Sequence, residues 1–384
     1  MRTCDVAVVG LGLMGAAAMR ALAARGADVL GFDPLRIGEP RGSSHGSCRV
    51  FRRFNFESPA YTRLSDRAFL GWRELEAECG RSLLLPCPVL EAGPPGSALV
   101  AASRSAAAAA GAAGAASNDL TGAEANAVYS ALDLPADWDV VVQDSGGILL
   151  AEEALRALRA PVAERIVEAA VRIEPGADGV AVTTGAETVL ALKVVVAAGP
   201  WIAQLVPRLA PVVRIVRHTV GWFRPQAPSA AAYGRLPIFL LEAPQGVVYG
   251  FPDFEGRGVK AGGHHGLDRI VGPDAWGPPP SDAELEPVRS TLERLMPGAA
   301  GPIVERDVCL YTNTIAADVR PDGGEEFIID RLPADPRLVV ISACSGHGAK
   351  FATVVGEMAA NLALEPDYRA DPAFRLDRYS AFAS

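Results

Sequence analysis

The sequence predicts an α/β protein, and its N-terminal segment supplies the strongest observation. The apolar run Val6–Val9 enters the glycine-rich turn Gly10–Gly15, an alanine-rich stretch follows, and a second apolar run ends at Asp33. This order of strand, glycine turn, helix, strand and acidic residue is typical of a Rossmann-type domain that binds an adenine dinucleotide. Two later strand-like runs, one in the middle of the chain and one near its end, extend the same domain.

Each residue of the N-terminal unit has a physical role in that interpretation. Gly10 permits the tight turn, Gly12 lets the backbone approach a pyrophosphate, and Gly15 lets the helix pack closely on the strand. The helix N-terminus offers unpaired N–H groups to the phosphates. The Asp33 carboxylate can accept the ribose hydroxyls and would repel a 2′-phosphate, which disfavours NADP. The motif alone does not choose between NAD and FAD.

The later strands indicate how the chain is divided. A buried run at 194–198 ends in a turn at Gly199, and another run at 338–342 lies near the C-terminus. A chain of 384 residues is long for one core. We therefore expect a discontinuous dinucleotide domain and an inserted mixed-sheet substrate domain, unlike the continuous first domain of an NAD-type hydroxyacid dehydrogenase. The expected boundaries are 1–88, 146–212 and 317–384 for the dinucleotide domain, and 89–145 and 213–316 for the substrate domain.

Helices are predicted by spacing and by capping signals. Apolar residues recur at helical spacing from Leu64 to Cys79, which predicts a helix over 60–79. Ser281 and Glu284 form a capping box that opens a helix running to Met296. The alanine-rich stretch 103–116 is interpreted as a surface helix or a connector, and an amphipathic helix is expected to begin at Lys350.

Composition and charge exclude several classes of protein. A formal net charge of -9 argues against nucleic acid or an anionic membrane as a partner. No apolar run is suited to a secretory leader or a membrane span. The six cysteines show neither the spacing of a metal site nor that of a disulfide framework, so we expect no metal and a cytoplasmic location.

Five motifs in the second half of the chain carry a resemblance to a known family: Tyr249–Pro252, Lys260–His264, Cys309–Thr312, Phe327–Asp330 and Ser345–Phe351. Together with the N-terminal unit and the basic loop at Arg49 and Arg52, the chain resembles the monomeric sarcosine oxidase and N-methyltryptophan oxidase group of the D-amino-acid-oxidase-like flavoproteins. The likeness spans nearly the whole chain and implies a glutathione-reductase-like FAD-binding domain.

The resemblance implies FAD as cofactor, bonded through the sulfur of Cys309 to the flavin 8α carbon. A nearby cation such as Arg49 would favour the thiolate that forms such a bond. The alternative is that Cys309 is a buried free cysteine. The cofactor-binding residues expected in this interpretation are Gly10, Gly12, Gly15, Asp33, Ser43, His45, Arg49, Gly199, Cys309, Gly346, Gly348 and Lys350.

The same resemblance assigns residues to substrate and to oxygen. Arg52 and Lys350 are expected to hold a carboxylate, which a guanidinium fork matches well. Lys260 is expected beside flavin N5, where it promotes the reaction with dioxygen. The alternatives are a surface salt bridge for Arg52 and a solvent-facing strand lysine for Lys260. The residues expected to be catalytic or to line the cavity are Lys260, His264, Arg49, Tyr249 and Tyr311, whereas His347 is interpreted as structural.

The implied function is that of an FAD-dependent amine oxidase. Its substrate would be a small secondary amino acid, either N-methylated like sarcosine or cyclic like proline or pipecolate, oxidised to an imine while O2 becomes H2O2. A flavin dehydrogenase, a tailoring oxidase acting on a larger amine, and an idle flavin-binding protein are the alternatives. We expect a monomer or a weak homodimer.

The sequence also departs from the family pattern. Extra residues lie at 315–325, close in sequence to Cys309, and Gly263 stands where a larger side chain is common. The segment 158–171 is shorter than its counterpart. These departures concern the substrate more than the cofactor.

Overall fold

The computed structural model describes residues 2–110, 117–264, 269–275, 277–315 and 326–382. Its strands are β1 (Arg2–Val9), β2 (Val29–Phe32), β3 (Cys48–Phe51), β4 (Leu84–Pro86), β5 (Val89–Gly93), β6 (Ser117–Thr121), β7 (Asp139–Gln143), β8 (Gly147–Leu150), β9 (Ile166–Val167), β10 (Arg172–Pro175), β11 (Val180–Thr183), β12 (Thr188–Val196), β13 (Val213–Phe223), β14 (Ile238–Ala243), β15 (Gly246–Phe251), β16 (Val259–Gly263), β17 (Arg269–Ile270), β18 (Ile303–Thr314), β19 (Ile328–Leu332) and β20 (Asp335–Ser342). Its α-helices are α1 (Leu13–Ala24), α2 (Pro59–Cys79), α3 (Ala98–Ala110), α4 (Gly122–Val128), α5 (Ala151–Arg159), α6 (Ile202–Leu205), α7 (Pro228–Ala231), α8 (Asp282–Leu295) and α9 (Ala352–Leu364).

The first sheet has a parallel core in the order β9-β2-β1-β12-β20. The β10–β11 hairpin pairs with the first half of β12, and β19 pairs antiparallel with β20. β1 ends in a run of buried apolar residues because helices cover a parallel sheet on both faces. The carboxyl ends of β1, β12 and β20 therefore meet at one edge, where a Rossmann-type sheet binds its ligand.

The second sheet is mixed and carries most of the predicted site residues. Its strand order is β17-β13-β16-β15-β14-β5-β7-β6, and β18 pairs in addition with β13. β5 and β14 are parallel, and the other pairs are antiparallel. Its strands come from 89–143 and 213–314, which supports the domain boundaries given above, and we keep those boundaries as a proposal.

A small third sheet, in the order β3-β8-β4, contains the start of the basic segment. The stretch that begins at Cys48 reads as a loop in the sequence, but residues 48–51 form β3, which pairs with β8. Arg49 therefore projects from a strand rather than from a loop.

The predictions of helices are partly confirmed. α2 spans nearly the predicted range and ends at Gly80 in the left-handed conformation. α8 begins after a capping box in which Ser281 and Glu284 bond reciprocally. The alanine-rich helix α3 begins earlier than expected, and residues 111–116 lie outside the described part of the chain.

The prediction of an amphipathic C-terminal helix is confirmed, but its expected start at Lys350 is wrong. α9 begins at Ala352, and nine of its 13 residues are buried, whereas Thr353, Glu357, Asn361 and Leu364 share one face and are exposed or half-buried. Gly356 lets it approach α1 closely, since a Cβ there would lie 2.6 Å from the Ala17 backbone. Within the described ranges, no helix is long and apolar enough to cross a membrane.

Candidate active site

A cavity of about 430 Å³ lies along the carboxyl edge of the parallel sheet. It extends from the end of β2, across the glycine turn after β1, to the turn that follows β20. Of the predicted cofactor residues, it is lined by Gly10, Gly12, Asp33, Ser43, His45 and Gly199. Its position matches the dinucleotide groove that the sequence predicts.

The three glycines of the turn are required by close backbone contacts. Gly10 has a φ of 85°, and a Cβ on it would lie 2.6 Å from the carbonyl oxygen of Ala197. Gly12 caps α1, and a Cβ there would lie 2.8 Å from the Ser44 hydroxyl. A Cβ on Gly15 would lie only 1.8 Å from the Gly10 carbonyl oxygen. Gly15 thus lets α1 begin directly on the turn, and it lines neither cavity.

Replacing Gly15 is therefore expected to damage the groove. Gly15→Ala should cost about 3 kcal/mol of stability and loosen cofactor binding, because α1 must shift to clear the methyl group. Thermal unfolding and the flavin absorbance of the purified protein measure both effects. Gly185→Ala is the matched control, since nothing lies within 4 Å of a Cβ built there. Equal unfolding temperatures for the two variants would contradict the packing role of Gly15.

Asp33 is held in place by groups on three segments. Its Oδ2 accepts from the Leu11 backbone N–H and from the Arg159 guanidinium, both at 2.8 Å, and its Oδ1 accepts from the Leu35 N–H at 2.8 Å. Burial raises the pKa of Asp33, although these donors oppose the shift. Each carboxylate oxygen has two acceptor sites, so the ribose-binding role predicted for Asp33 is compatible with these bonds. Sequence reasoning missed Arg159, which follows Asp33 by 126 positions.

The serine-rich loop after β2 is hydrogen-bonded to strand β18. The Ser43 hydroxyl donates to the Leu310 carbonyl at 2.5 Å, and the His45 ring lies 3.0 Å from the Val308 carbonyl. Arg49 donates to the backbone carbonyls of Ser43 and His45 at 2.9 and 2.7 Å. These bonds fix the loop on both sides of position 309, although the two segments are far apart in sequence.

A second cavity of about 100 Å³ adjoins the first. Ser43, His45, Cys344 and Ala349 line both cavities, so the two meet at these residues. The structure brings the remaining predicted site residues together here: the lining includes Arg49, Arg52, Tyr249, Lys260, His264, Cys309, Tyr311, Gly346, Gly348 and Lys350. Cys48 and Cys344, which the sequence analysis left without a role, line it too.

Cys309 lies in the middle of β18, opposite His218 of β13. Burial raises the pKa of its thiol to about 11, against the opposing effect of Arg49 and Lys260. The expectation that nearby cations favour the thiolate is therefore right in direction, but burial has the larger effect in the protein alone.

Lys260 lies on β16 with only 8% of its surface exposed. Its ammonium lies 5.1 Å from the ring centre of Trp222 and 5.7 Å from that of Phe251. The Cys48 sulfur is 3.7 Å from Nζ. The alternative interpretation of Lys260 as a solvent-facing strand lysine is wrong.

Three ring side chains form one wall of the second cavity. The His264 ring centre lies 6.2 Å from that of Tyr249 and 6.5 Å from that of Tyr311. Burial raises the pKa of Tyr249 to about 12, so its phenol stays protonated at neutral pH. Tyr311 also stacks on His218 at 3.7 Å, and a Cβ on Gly346 would lie 2.5 Å from the Tyr311 ring. The rings are thus packed in fixed positions.

Arg52 is buried between two carboxylates, so its interpretation as a surface salt-bridge residue is wrong. It forms ion pairs with Glu57 and, at 3.3 Å, with Glu91. Burial pushes the pKa of Glu57 upward, but Arg52 and other nearby cations outweigh it and hold that pKa below its usual value. Burial raises the pKa of Glu91 despite the same guanidinium. No pattern in the sequence indicated either Glu57 or Glu91 as a partner of Arg52.

Lys350 lies in a single 3-10 turn that precedes α9. Its ammonium donates to the His347 carbonyl at 2.8 Å, and its own carbonyl accepts from the Trp72 indole at 2.7 Å. The His347 ring lies 3.5 Å from Glu57 and stacks on Phe327 at 4.8 Å. His347 lines the cavity as well as packing in the core, and its interpretation as structural rather than catalytic stays a prediction.

Of the insertion at 315–325, the structure describes only the first residue, Ile315. Ile315 follows β18 directly, whereas residues 316–325 lie outside the described residues. The insertion is close to Cys309 in the sequence.

Comparison with known proteins assigns the chain to a family. The sequence profile of the DAO family, described as FAD dependent oxidoreductase, matches residues 5–362. The monomeric sarcosine oxidase of Bacillus sp. (strain B-0618) is 32% identical over 372 residues, which cover 94% of this chain and 92% of that protein. The N-methyl-L-tryptophan oxidase of Yersinia pestis (strain Pestoides F) is 33% identical over 383 residues, covering 98% and 99% of the two chains.

A solved structure agrees at the level of the fold. NikD, described as an unusual amino acid oxidase essential for nikkomycin biosynthesis, superposes with a TM-score of 0.80 at 24% identity. The superposition covers 97% of this chain and 96% of NikD. The glycine turn, the groove beside it and these similarities agree: the chain belongs to the DAO family of FAD-dependent oxidoreductases.

Proposed function

We propose that the protein oxidises a small secondary amino acid, either an N-methyl amino acid or a cyclic imino acid, to an imine and passes the electrons to O2, forming H2O2. One observation carries the proposal: a cavity lined by Lys260, Arg52, Lys350 and Cys309 opens onto the dinucleotide groove. The names of the two related oxidases support an N-methylated amino acid as the substrate class.

The groove fits FAD in chemistry and in space. Gly10 and Gly12 line the groove beside the α1 N-terminus, and neither carries a side chain there, which suits a pyrophosphate close to the backbone. Asp33 would hold the ribose, while Ser43, His45 and the turns at 199 and 346–348 would enclose the rest. Bound FAD supplies a group that takes up a hydride equivalent and returns the electrons to an acceptor.

Cys309 is our candidate for the covalent attachment of the flavin. It lines the second cavity, and the loop bearing Ser43 and His45 is hydrogen-bonded to the residues on either side of it. Arg49 and Lys260 act on its thiol electrostatically and favour the thiolate that such an attachment needs.

Arg52 and Lys350 are proposed to orient the substrate through its carboxylate. The two ion pairs of Arg52 use one donor on Nη1 and one on Nη2. A guanidinium carries five N–H donors in all, so Arg52 has further donors that can bind a substrate carboxylate. A carboxylate held there would present the amine toward the wall formed by Tyr249, His264 and Tyr311. The amine must be neutral for its lone pair to assist C–H cleavage, and the nearby cations disfavour the ammonium form.

Lys260 is proposed to act on dioxygen. Its buried ammonium provides a fixed positive charge where reduction of O2 develops negative charge, and such charges are most effective away from water.

The six free thiols support a reducing compartment, and we propose the cytoplasm.

Anaerobic mixing of the holoprotein with sarcosine, N-methyl-L-tryptophan, L-proline or L-pipecolate tests the function. We expect at least one of them to bleach the flavin absorbance and air to restore it, with formation of H2O2. Bleaching that air does not reverse would indicate a dehydrogenase. Persistent yellow colour with every amine would contradict the proposal and favour an idle flavoprotein.

A further inference from the structure

We propose that Cys48 is a positioning residue for Lys260, acting together with the rings of Trp222 and Phe251. Its thiol accepts a hydrogen bond from the lysine ammonium and fixes the direction in which that charge faces the cavity. The inference rests on the proposed function, in which Lys260 acts on dioxygen.

The contact joins two separate sheets at the cavity. Cys48 begins β3 of the small sheet, and Lys260 lies on β16 of the mixed sheet. Sγ and Nζ are 3.7 Å apart, and the two residues are 1% and 8% exposed. Both line the second cavity. Each side chain projects from a paired strand, so the backbone fixes the two points from which the side chains reach each other.

Two aromatic rings restrict the ammonium further. The Trp222 and Phe251 ring centres lie 5.1 and 5.7 Å from Nζ, within the range of cation–π attraction. Trp222 pairs with Lys260 across β13 and β16, while Phe251 pairs with it across β15 and β16. The lysine is thus flanked by a ring on each neighbouring strand and by a thiol from the small sheet.

A thiol suits this position because it holds the ammonium without neutralising it. A carboxylate at the same place would cancel the charge that the proposed role requires, whereas a neutral thiol is a weak acceptor. The nearby Asp307 is itself engaged by His45, at 3.4 Å. Cys48 therefore orients the cation and leaves its charge available to the cavity.

The test is the second-order rate of reoxidation by O2 after the holoprotein has been reduced with dithionite, which needs no substrate. Cys48→Ala should slow reoxidation about fivefold, the loss that matches one net hydrogen bond. Cys48→Ser should restore most of the rate, since a hydroxyl also accepts. Cys87→Ala is the matched control, because Cys87 is buried in the same apolar cluster and lines neither cavity.

A double-mutant cycle shows whether Cys48 acts through Lys260. In a Lys260→Met background, Cys48→Ala should have no further effect on reoxidation. An equal slowing in both backgrounds, or slowing by Cys87→Ala as large as by Cys48→Ala, would overturn the inference.

Competitive acetylation provides a readout that does not depend on turnover. With trace acetic anhydride and peptide mass spectrometry, Lys260 should be labelled at least about threefold faster in Cys48→Ala than in the wild type, because the ammonium loses a hydrogen bond. Unchanged labelling and unchanged reoxidation would refute the inference while leaving the proposed function intact. Slow reoxidation of the wild type itself would instead refute the oxygen step of that function.

Discussion

Arg52→Met should lower the free energy of unfolding by about 3 to 5 kcal/mol at neutral pH, because it leaves two buried carboxylates without their shared cation. Glu57 and Glu91 both have fully buried side chains beside Arg52. Urea or thermal unfolding measures the loss. Arg53→Met is the matched control: Arg53 pairs with Asp66 at 2.7 Å, nearer the surface, where an ion pair contributes less than about 1 kcal/mol.

The free energy of unfolding should depend on pH in opposite ways for Glu57 and Glu91. The pKa of Glu57 is lowered in the folded state, so its contribution to stability is present above the ordinary carboxyl range and is lost as the pH falls through the folded pKa. The pKa of Glu91 is raised, so its charged form costs stability at neutral pH, and that cost disappears as the pH falls.

The corresponding glutamine variants make that difference measurable. Glu57→Gln should destabilise the protein by about 2 kcal/mol or more at neutral pH and by less in acid, whereas Glu91→Gln should change stability by under about 1 kcal/mol. Equal losses for the two variants, or an Arg52→Met variant as stable as the wild type, would contradict this description of the cluster.

Lys260→Met should slow reoxidation of the reduced protein by O2 at least about 100-fold, the scale of losing one electrostatic stabiliser in a site shielded from water. Reduction by the amine substrate should change far less, because Arg52 and Lys350 rather than Lys260 are proposed to position it. Stopped-flow absorbance separates the two half-reactions.

A second lysine variant controls for the loss of a strand lysine outside the cavity. Lys193 lies on β12, donates to the Ala363 carbonyl and lines neither cavity, so Lys193→Met should leave both half-reactions unchanged. Equal slowing of reduction and reoxidation in Lys260→Met would remove the assignment of Lys260 to dioxygen.

Local patterns in the sequence predicted the parts of the fold that depend on local physics. The turn at Gly10, the helix ending at Cys79 and the capping box at Ser281 each follow from backbone freedom, helical spacing or side-chain capping within a few residues. The resemblance added the cavity residues of the mixed sheet, such as Lys260 and Tyr249, which spacing alone would not have selected.

Contacts between distant segments could not be predicted in the same way. Arg159 reaches Asp33, Glu91 reaches Arg52 and Cys48 reaches Lys260 only after three sheets have assembled. None of these partners lies in a pattern that specifies a neighbour.

We propose that a flavin is bonded to the sulfur of Cys309. Acid precipitation of the purified holoprotein, followed by proteolysis and peptide mass spectrometry, tests it most directly. We predict that the yellow colour stays with the pellet, that the peptide containing Cys309 carries the mass of FAD, and that Cys309→Ser releases the flavin into the supernatant. Colour in the wild-type supernatant together with an unmodified Cys309 peptide would contradict the claim.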